Sequence, residues 1–274
     1  MKMKKHIQKL FICLATMAAL TSACKKKNEE VTPAKQTCYI TTVKNIYTNH
    51  KDSTTIEYNI DNKVSKISSF DSTKKLTGYD LYTFSSNKID IRSYDGKGTM
   101  NDQVSYYLNS DGTANYSTEL STSSGSGQTQ YDTAYYSYDN GYIVKKININ
   151  VSIFGTQTHK NYDTTWYTYT DGNLQKEIYK SSGQTTTTTY AYSSLEDKNN
   201  FGSLDPLIPG LGGKGNKNLI QSGRSDNTNA NTDSYNYIVD SNGLITHMIE
   251  SYSFVSGTGI TANIFESYFY YICK

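Results

Sequence analysis

The sequence predicts an all-β protein: an antiparallel up-and-down meander of about sixteen strands, closed or nearly closed into a barrel, with one long loop at one end. Three observations predict it. Aromatic and aliphatic residues alternate with polar ones in short runs, the runs are joined by Asn/Asp/Ser/Gly turns at near-regular intervals, and no stretch after the leader shows an apolar period of 3.6 residues.

The first element is a leader. Met1–Ala23 opens with Lys2, Lys4, Lys5 and Lys9 and continues into the apolar run Leu10–Leu20, the pattern of a signal peptide and too short for a spanning helix. Residues 24–37 follow as a polar tether without periodicity. Four of the 27 basic residues lie in the leader, which leaves 23 against 25 acidic side chains and a mature net charge near −2. That balance removes the electrostatic case for a nucleic-acid partner.

Residues 38–274 read as a single β-meander domain. Its hairpins are centred near 61, 86, 111, 140, 171 and 241, and Gly112, Gly141, Gly172 and Gly243 stand where such turns need a positive φ. Looser polar segments at 48–53, 71–77, 95–102, 121–130, 154–158, 181–183, 226–232 and 256–259 return the chain between them. Tight turns therefore gather at one end of the sheet and loose connections at the other.

The stretch Thr164–Tyr179, "TTWYTYTDGNLQKEIY", shows how a hairpin assigns its faces. A two-residue loop at Asp171-Gly172 sets Thr170 against Asn173 and Tyr169 against Leu174. Uninterrupted, that register sets Tyr167 against Lys176, Thr165 against Ile178 and Trp166 against Glu177, so that Trp166 lies on the more polar face. The same reasoning sets His247 opposite Tyr237. Cross-strand pairs of Tyr, Thr and Ile contribute about 0.2–1 kcal/mol each, so a tyrosine ladder needs no ligand to account for it.

Residues 195–217 interrupt the pattern at the tight-turn end. They contain Pro206 and Pro209 with Leu204, Leu207, Ile208 and Leu211, a composition unsuited to a strand and suited to a loop that tucks its apolar residues into the end of the sheet.

Cysteine placement supplies the remaining covalent expectations. Cys13 leaves with the leader, and Cys24 follows the small residues of Leu20-Thr21-Ser22-Ala23. This segment resembles a bacterial lipobox, which implies lipidation of Cys24. Cys38 opens the first strand and Cys273 closes the last, Ile260–Cys273, at the same end of an even-stranded sheet. A disulfide there would tie the first strand to the last, the alternative being two separate buried thiols.

Tyr138-Asp139-Asn140-Gly141 and Tyr169-Thr170-Asp171-Gly172 resemble the YD repeats of Rhs-type shell proteins. The mature chain as a whole is similar to a Bacteroidota lipoprotein family, a domain of unknown function with a porin-like barrel fold. Tyr190-Ala191-Tyr192 followed by Asp197-Lys198-Asn199-Asn200-Phe201 and a Gly/Leu loop carries that likeness, with Asn200 where the family pattern has proline. The resemblance implies fold and an outer-membrane location; it implies no activity.

The chain offers no catalytic motif, metal cluster or cofactor fingerprint. Gly210–Gly215 spells G-x-G-x-x-G, but neither a preceding βαβ strand nor a following helix is there to present amides to phosphate. His50, His159 and His247 have no second ligand at metal spacing. A carboxylate pair assembled by the fold stays open, because its partners need not be close in sequence. The expectation is a non-enzymatic, lipid-anchored envelope protein that binds a glycan or another surface component, with Trp166 the foremost binding aromatic. A structural scaffold and a pore-like barrel are the alternatives. Glycan binding predicts aromatics exposed in one patch, a scaffold predicts them scattered, and a pore predicts a continuous apolar belt.

Overall fold

The structure, a computed structural model, describes residues 37–47, 50–123, 128–198, 204–205, 207–226, 231–256 and 259–274, with only the backbone of 122, 123, 128, 254–256 and 259–261. The leader, Cys24 and most of the tether lie outside the described residues, as do Asn199–Phe201 and Pro206. Cys38–Cys273 form one compact unit.

That unit is built from sixteen strands: β1 (Cys38–Ile46), β2 (Lys51–Tyr58), β3 (Val64–Phe70), β4 (Leu76–Phe84), β5 (Lys88–Asp95), β6 (Met100–Leu108), β7 (Ala114–Ser123), β8 (Gln128–Asp139), β9 (Tyr142–Phe154), β10 (Gln157–Thr170), β11 (Asn173–Ser181), β12 (Gln184–Glu196), β13 (Asn218–Ser225), β14 (Thr232–Val239), β15 (Ile245–Ser256) and β16 (Gly259–Cys273). Each pairs antiparallel with the next and β16 pairs with β1, which closes the barrel and leaves no free edge. At the seam Cys38 stands opposite Cys273, and a disulfide joins them with their Cα atoms 4.0 Å apart across a separation of 235 residues.

The tight turns take the conformations that their residues favour. Asn140-Gly141 and Asp171-Gly172 both have positive φ at the two central positions, the geometry that matches strand twist in a two-residue hairpin, and Ser182-Gly183 has it too at the opposite end, where a loose connection was expected.

Beside most of these turns the ladder skips one residue. The skipped residues include Thr41, Asn115, Gln175, Gln221 and Thr246, each a β-bulge on the strand that leaves the tight-turn end. A bulge disrupts the ladder beside it, and the residue just before each skipped one accepts a tyrosine hydroxyl from the next strand. Tyr58 donates to the Ile40 carbonyl, Tyr138 to Ala114, Tyr192 to Leu174, Tyr237 to Ile220 and Tyr271 to Ile245, at 2.6–2.8 Å. A buried carbonyl left unpaired costs about 1–3 kcal/mol, so these tyrosines are part of how the barrel is built.

The bulges also correct the uninterrupted registers. With Gln175 extruded, Trp166 faces Ile178 and Tyr167 faces Glu177. With Thr246 extruded, Tyr237 faces Met248 and His247 faces Ile238. A shift of one residue exchanges the side chains beyond the bulge between faces, so turn chemistry alone misplaced Glu177, Ile178 and His247, while Tyr167 and Trp166 on β10 keep the opposite faces expected of them.

The lumen is packed at its tight-turn end. Ile56, Val64, Ile89, Ala114 and Ile143 meet Ile208 and Leu211 of the expected 195–217 loop, whose first two residues, Leu195 and Glu196, instead end β12, with Leu204 and Leu207 packed against them. Leu211 is 1% exposed and its carbonyl accepts the Ala114 N–H at 2.8 Å. The loop is fastened to two more hairpins by Lys214 N–H to the Gly141 carbonyl (2.7 Å) and Lys217 N–H to the Gly172 carbonyl (2.9 Å). Gly213 must be glycine, because a Cβ there would collide with the Gly141 carbonyl oxygen. The G-x-G-x-x-G spelling thus reflects a backbone passing close over a turn.

Candidate functional site

Two surfaces concentrate functional groups, one on each side of the same strands. Residues paired across the ladder share a face, and contact with the plug identifies the inner one. Val104, Tyr106, Glu119, Asp132, Lys146 and Leu204 line a single cavity of about 350 Å³. Alternate residues on β7–β11 therefore face outward.

The outer face presents an aromatic and aliphatic grid. Tyr107 pairs with Tyr116, Tyr116 with Tyr135, and Tyr135 with Ile147, while Tyr131 pairs with Val151, Ile149 with Tyr162, and Lys145 with Trp166. The Tyr107 and Tyr116 rings stack at 4.3 Å with an interplanar angle of 10°, so they use faces on each other. Four rings remain more open: Tyr131 is 46% exposed, Tyr135 47%, Tyr162 56% and Trp166 37%. The expected binding aromatic, Trp166, is one of these four and lies on the side of β10 that its turn implied, with Ile178 and not Glu177 as its β11 partner.

The apolar grid does not encircle the barrel. On β2–β5 the outer side chains include Glu57 with Lys66 (3.9 Å) and Lys88 with Asp90 (2.7 Å), and β12–β14 present Thr185, Thr187, Thr189, Ser222, Arg224 and Ser234. On β15–β16 His247 stacks on Tyr268 at 4.2 Å and contacts Glu266 at 3.1 Å. His50 is likewise occupied, stacked on Tyr47 at 4.2 Å. Among the described residues no group of three or more His, Cys, Asp or Glu side chains is arranged to hold a metal ion.

The inner face is acidic. Glu119 on β7 stands directly opposite Asp132 on β8, with Asp102 one strand further on, and Lys146 of β9 is the cation that faces them. Burial pushes Glu119 upward from the usual carboxylate range, with Asp102 and Asp132 adding to the shift. Asp102 is raised for the same first reason, and buried oxygens of Asp102 and Asp132 have no hydrogen-bond partner. Asp163, 7% exposed, is instead satisfied by Asn148 at 2.7 Å and Asn150 at 3.1 Å. Burial also raises Glu177, whose partner is the Tyr190 hydroxyl at 3.2 Å. The fold thus assembles the carboxylate group that spacing could not show. Its members are scattered over 102–177, and the signal available in the sequence was the coincidence of acids with one parity of successive strands.

Comparison with family models and with curated proteins finds no match. Solved structures do match. A porin-like protein from Bacteroides uniformis ATCC 8492 is similar over 85% of this chain and 98% of its own, with a TM-score of 0.60 and 14% identity. A porin-like protein from Bacteroides vulgatus ATCC 8482 is similar over 86% of this chain and 99% of its own, with a TM-score of 0.55 and 13% identity. At these identities the likeness is one of fold, and the fold is the porin-like barrel.

Proposed function

We propose that this chain is a lipid-anchored envelope barrel whose outer face on β7–β11 binds glycan, without turnover. The observation that carries the reading is the set of four open aromatic rings, Tyr131, Tyr135, Tyr162 and Trp166, on one continuous stretch of the outer surface. Such rings offer an apolar face for a sugar ring, and their N–H and O–H groups can hydrogen-bond the hydroxyls around it. The envelope location is supported by the leader, by the lipobox-like residues before Cys24 and by the porin-like fold of the Bacteroides structures. A conducting pore is the weaker reading, because the charged outer residues of β2–β5 interrupt an apolar belt and the 195–217 loop fills the lumen at the tight-turn end.

Two measurements test the proposal. Retention of the purified chain on a panel of immobilised polysaccharides should fall about tenfold or more in Tyr162→Ala/Trp166→Ala with the thermal midpoint little changed, since stacking rings contribute through contact with the ligand. Unchanged retention would overturn the assignment to this face. Membrane association in fractionated cells should be lost in Cys24→Ser; full retention of that variant would overturn the anchor.

A further inference from the structure

The carboxylates of β7–β11 stand on the inner side of the barrel wall, where Lys146 joins them, and the other lysines of these strands stand on the outer side. Glu119, Asp132, Asp163 and Glu177 all face the lumen. Across the outer stretches Tyr116–Leu120, Tyr131–Ser137, Lys145–Ile153, Lys160–Thr168 and Lys176–Lys180, the outward positions include Lys145, Lys160, Lys176 and Lys180 and no Asp or Glu. The turn residues Asp139 and Asp171 lie beyond the tight-turn edge of this area. The ion pairs of Lys66 with Glu57 and of Lys88 with Asp90 involve none of this group.

The lysines are placed against the open rings. Lys145 is the cross-strand partner of Trp166, Lys160 holds its ammonium 5.1 Å from the centre of the Tyr162 ring, and Lys180 pairs with Thr164 between the two. Trp166 and Tyr162 are four residues apart on one strand, about 13 Å at the usual rise, so the pairing of ring with cation is repeated along β10.

We propose that this face recognises an acidic polysaccharide, a polymer whose sugars carry carboxylate groups. The inference rests on the glycan-binding reading and narrows it by charge. An acidic sugar presents both an apolar ring face and an anion, the two features that each ring and lysine pair complements. Surface carboxylates would repel such a polymer, and on these strands the carboxylates stand on the far side of the wall. The uniform sign of the outer face also concentrates a polyanion by long-range attraction, which salt screens.

The test uses the full chain in detergent, with affinity electrophoresis through gels containing polygalacturonate, its fully methyl-esterified neutral form, or dextran. Retention by polygalacturonate should exceed retention by the esterified polymer, and it should weaken as salt is raised. Lys145→Gln/Lys160→Gln/Lys180→Gln should lose about tenfold or more of that retention, whereas Lys51→Gln/Lys66→Gln on the other side of the barrel should lose none. Unchanged thermal midpoints would assign the loss to the surface and not to unfolding.

Equal retention by the acidic and the esterified polymer, abolished by Tyr162→Ala/Trp166→Ala, would overturn the charge specificity and leave glycan binding standing. Retention by none of the three, where the wider panel does retain the chain, would overturn this inference alone; retention by no saccharide at all would overturn both readings. If the triple lysine variant kept its polymer retention but bound phosphatidylglycerol vesicles less well than the parent, the basic face would belong to an anionic membrane surface and the inference would fail.

Discussion

The inner and outer faces of β10 put the same kind of residue to different uses. Tyr167 and Tyr169 point into the lumen, where burial raises both phenols, Tyr169 to about 12. Tyr162 and Trp166, on the outer face of the same strand, keep 56% and 37% of their surface open. Aromatic content therefore says little about binding in this chain. What separates a building tyrosine from a binding one is the side of the wall it occupies, which alternation along β10 sets.

The largest effect that could test this contrast comes from the barrel seam. Cys38→Ser/Cys273→Ser removes a link spanning 235 residues, worth about 5 kcal/mol in the chain-entropy account. Denaturant unfolding should show a loss of that order; a loss below about 1 kcal/mol would mean that strand pairing alone holds the seam. Leu211→Ala comes next. Its side chain is almost fully enclosed between plug and lumen, so about 2–5 kcal/mol should be lost, with the outer face and its polysaccharide retention unaffected. An unchanged midpoint would mean that the loop does not close the barrel in solution.

Tyr138→Phe probes the building role directly. It leaves the Ala114 carbonyl without its 2.8 Å hydroxyl donor and should cost about 1–3 kcal/mol. The outer-face counterpart, Tyr162→Ala, should cost about 0.2–1 kcal/mol, the range of one cross-strand pair, while removing far more binding than the inner variant does. If the two substitutions destabilised equally, the division of labour between the faces would be wrong.

A graded effect should come from pH. Glu119 and Asp102 hold their protons to higher pH in the folded chain than in the unfolded one, because burial and neighbouring acids disfavour the charge. Their contribution to stability is therefore complete below the ordinary carboxylate range and is lost as pH rises through their raised folded values. Turn aspartates such as Asp71 and Asp95 are lowered by hydrogen bonds from Thr73 and Thr99, and they act in the opposite sense. The informative quantity is the difference between parent and Glu119→Gln. The variant should gain stability relative to the parent as pH rises, and a difference independent of pH would remove Glu119 from the account.

Much of the architecture was legible in the chain. Period-two alternation, turn residues at near-regular intervals and an even strand count point to a closed antiparallel barrel, because each is a local consequence of backbone geometry. The 195–217 loop was legible too, since prolines and clustered leucines exclude a strand and still demand burial. The faces beyond each bulge were not. Thr164–Tyr179 has the right turn and the right alternation, but the bulge at Gln175 depends on how two strands meet under barrel curvature, and it moved Trp166 away from Glu177. Glu119, Asp132, Asp163 and Glu177 become one acidic lining, and Lys145, Lys160 and Lys180 one basic frame, only when the sheet closes and turns alternate residues to opposite sides of a wall. Alternation is set by the residue-to-residue geometry of a strand; inside and outside are set by closure, which no single strand contains.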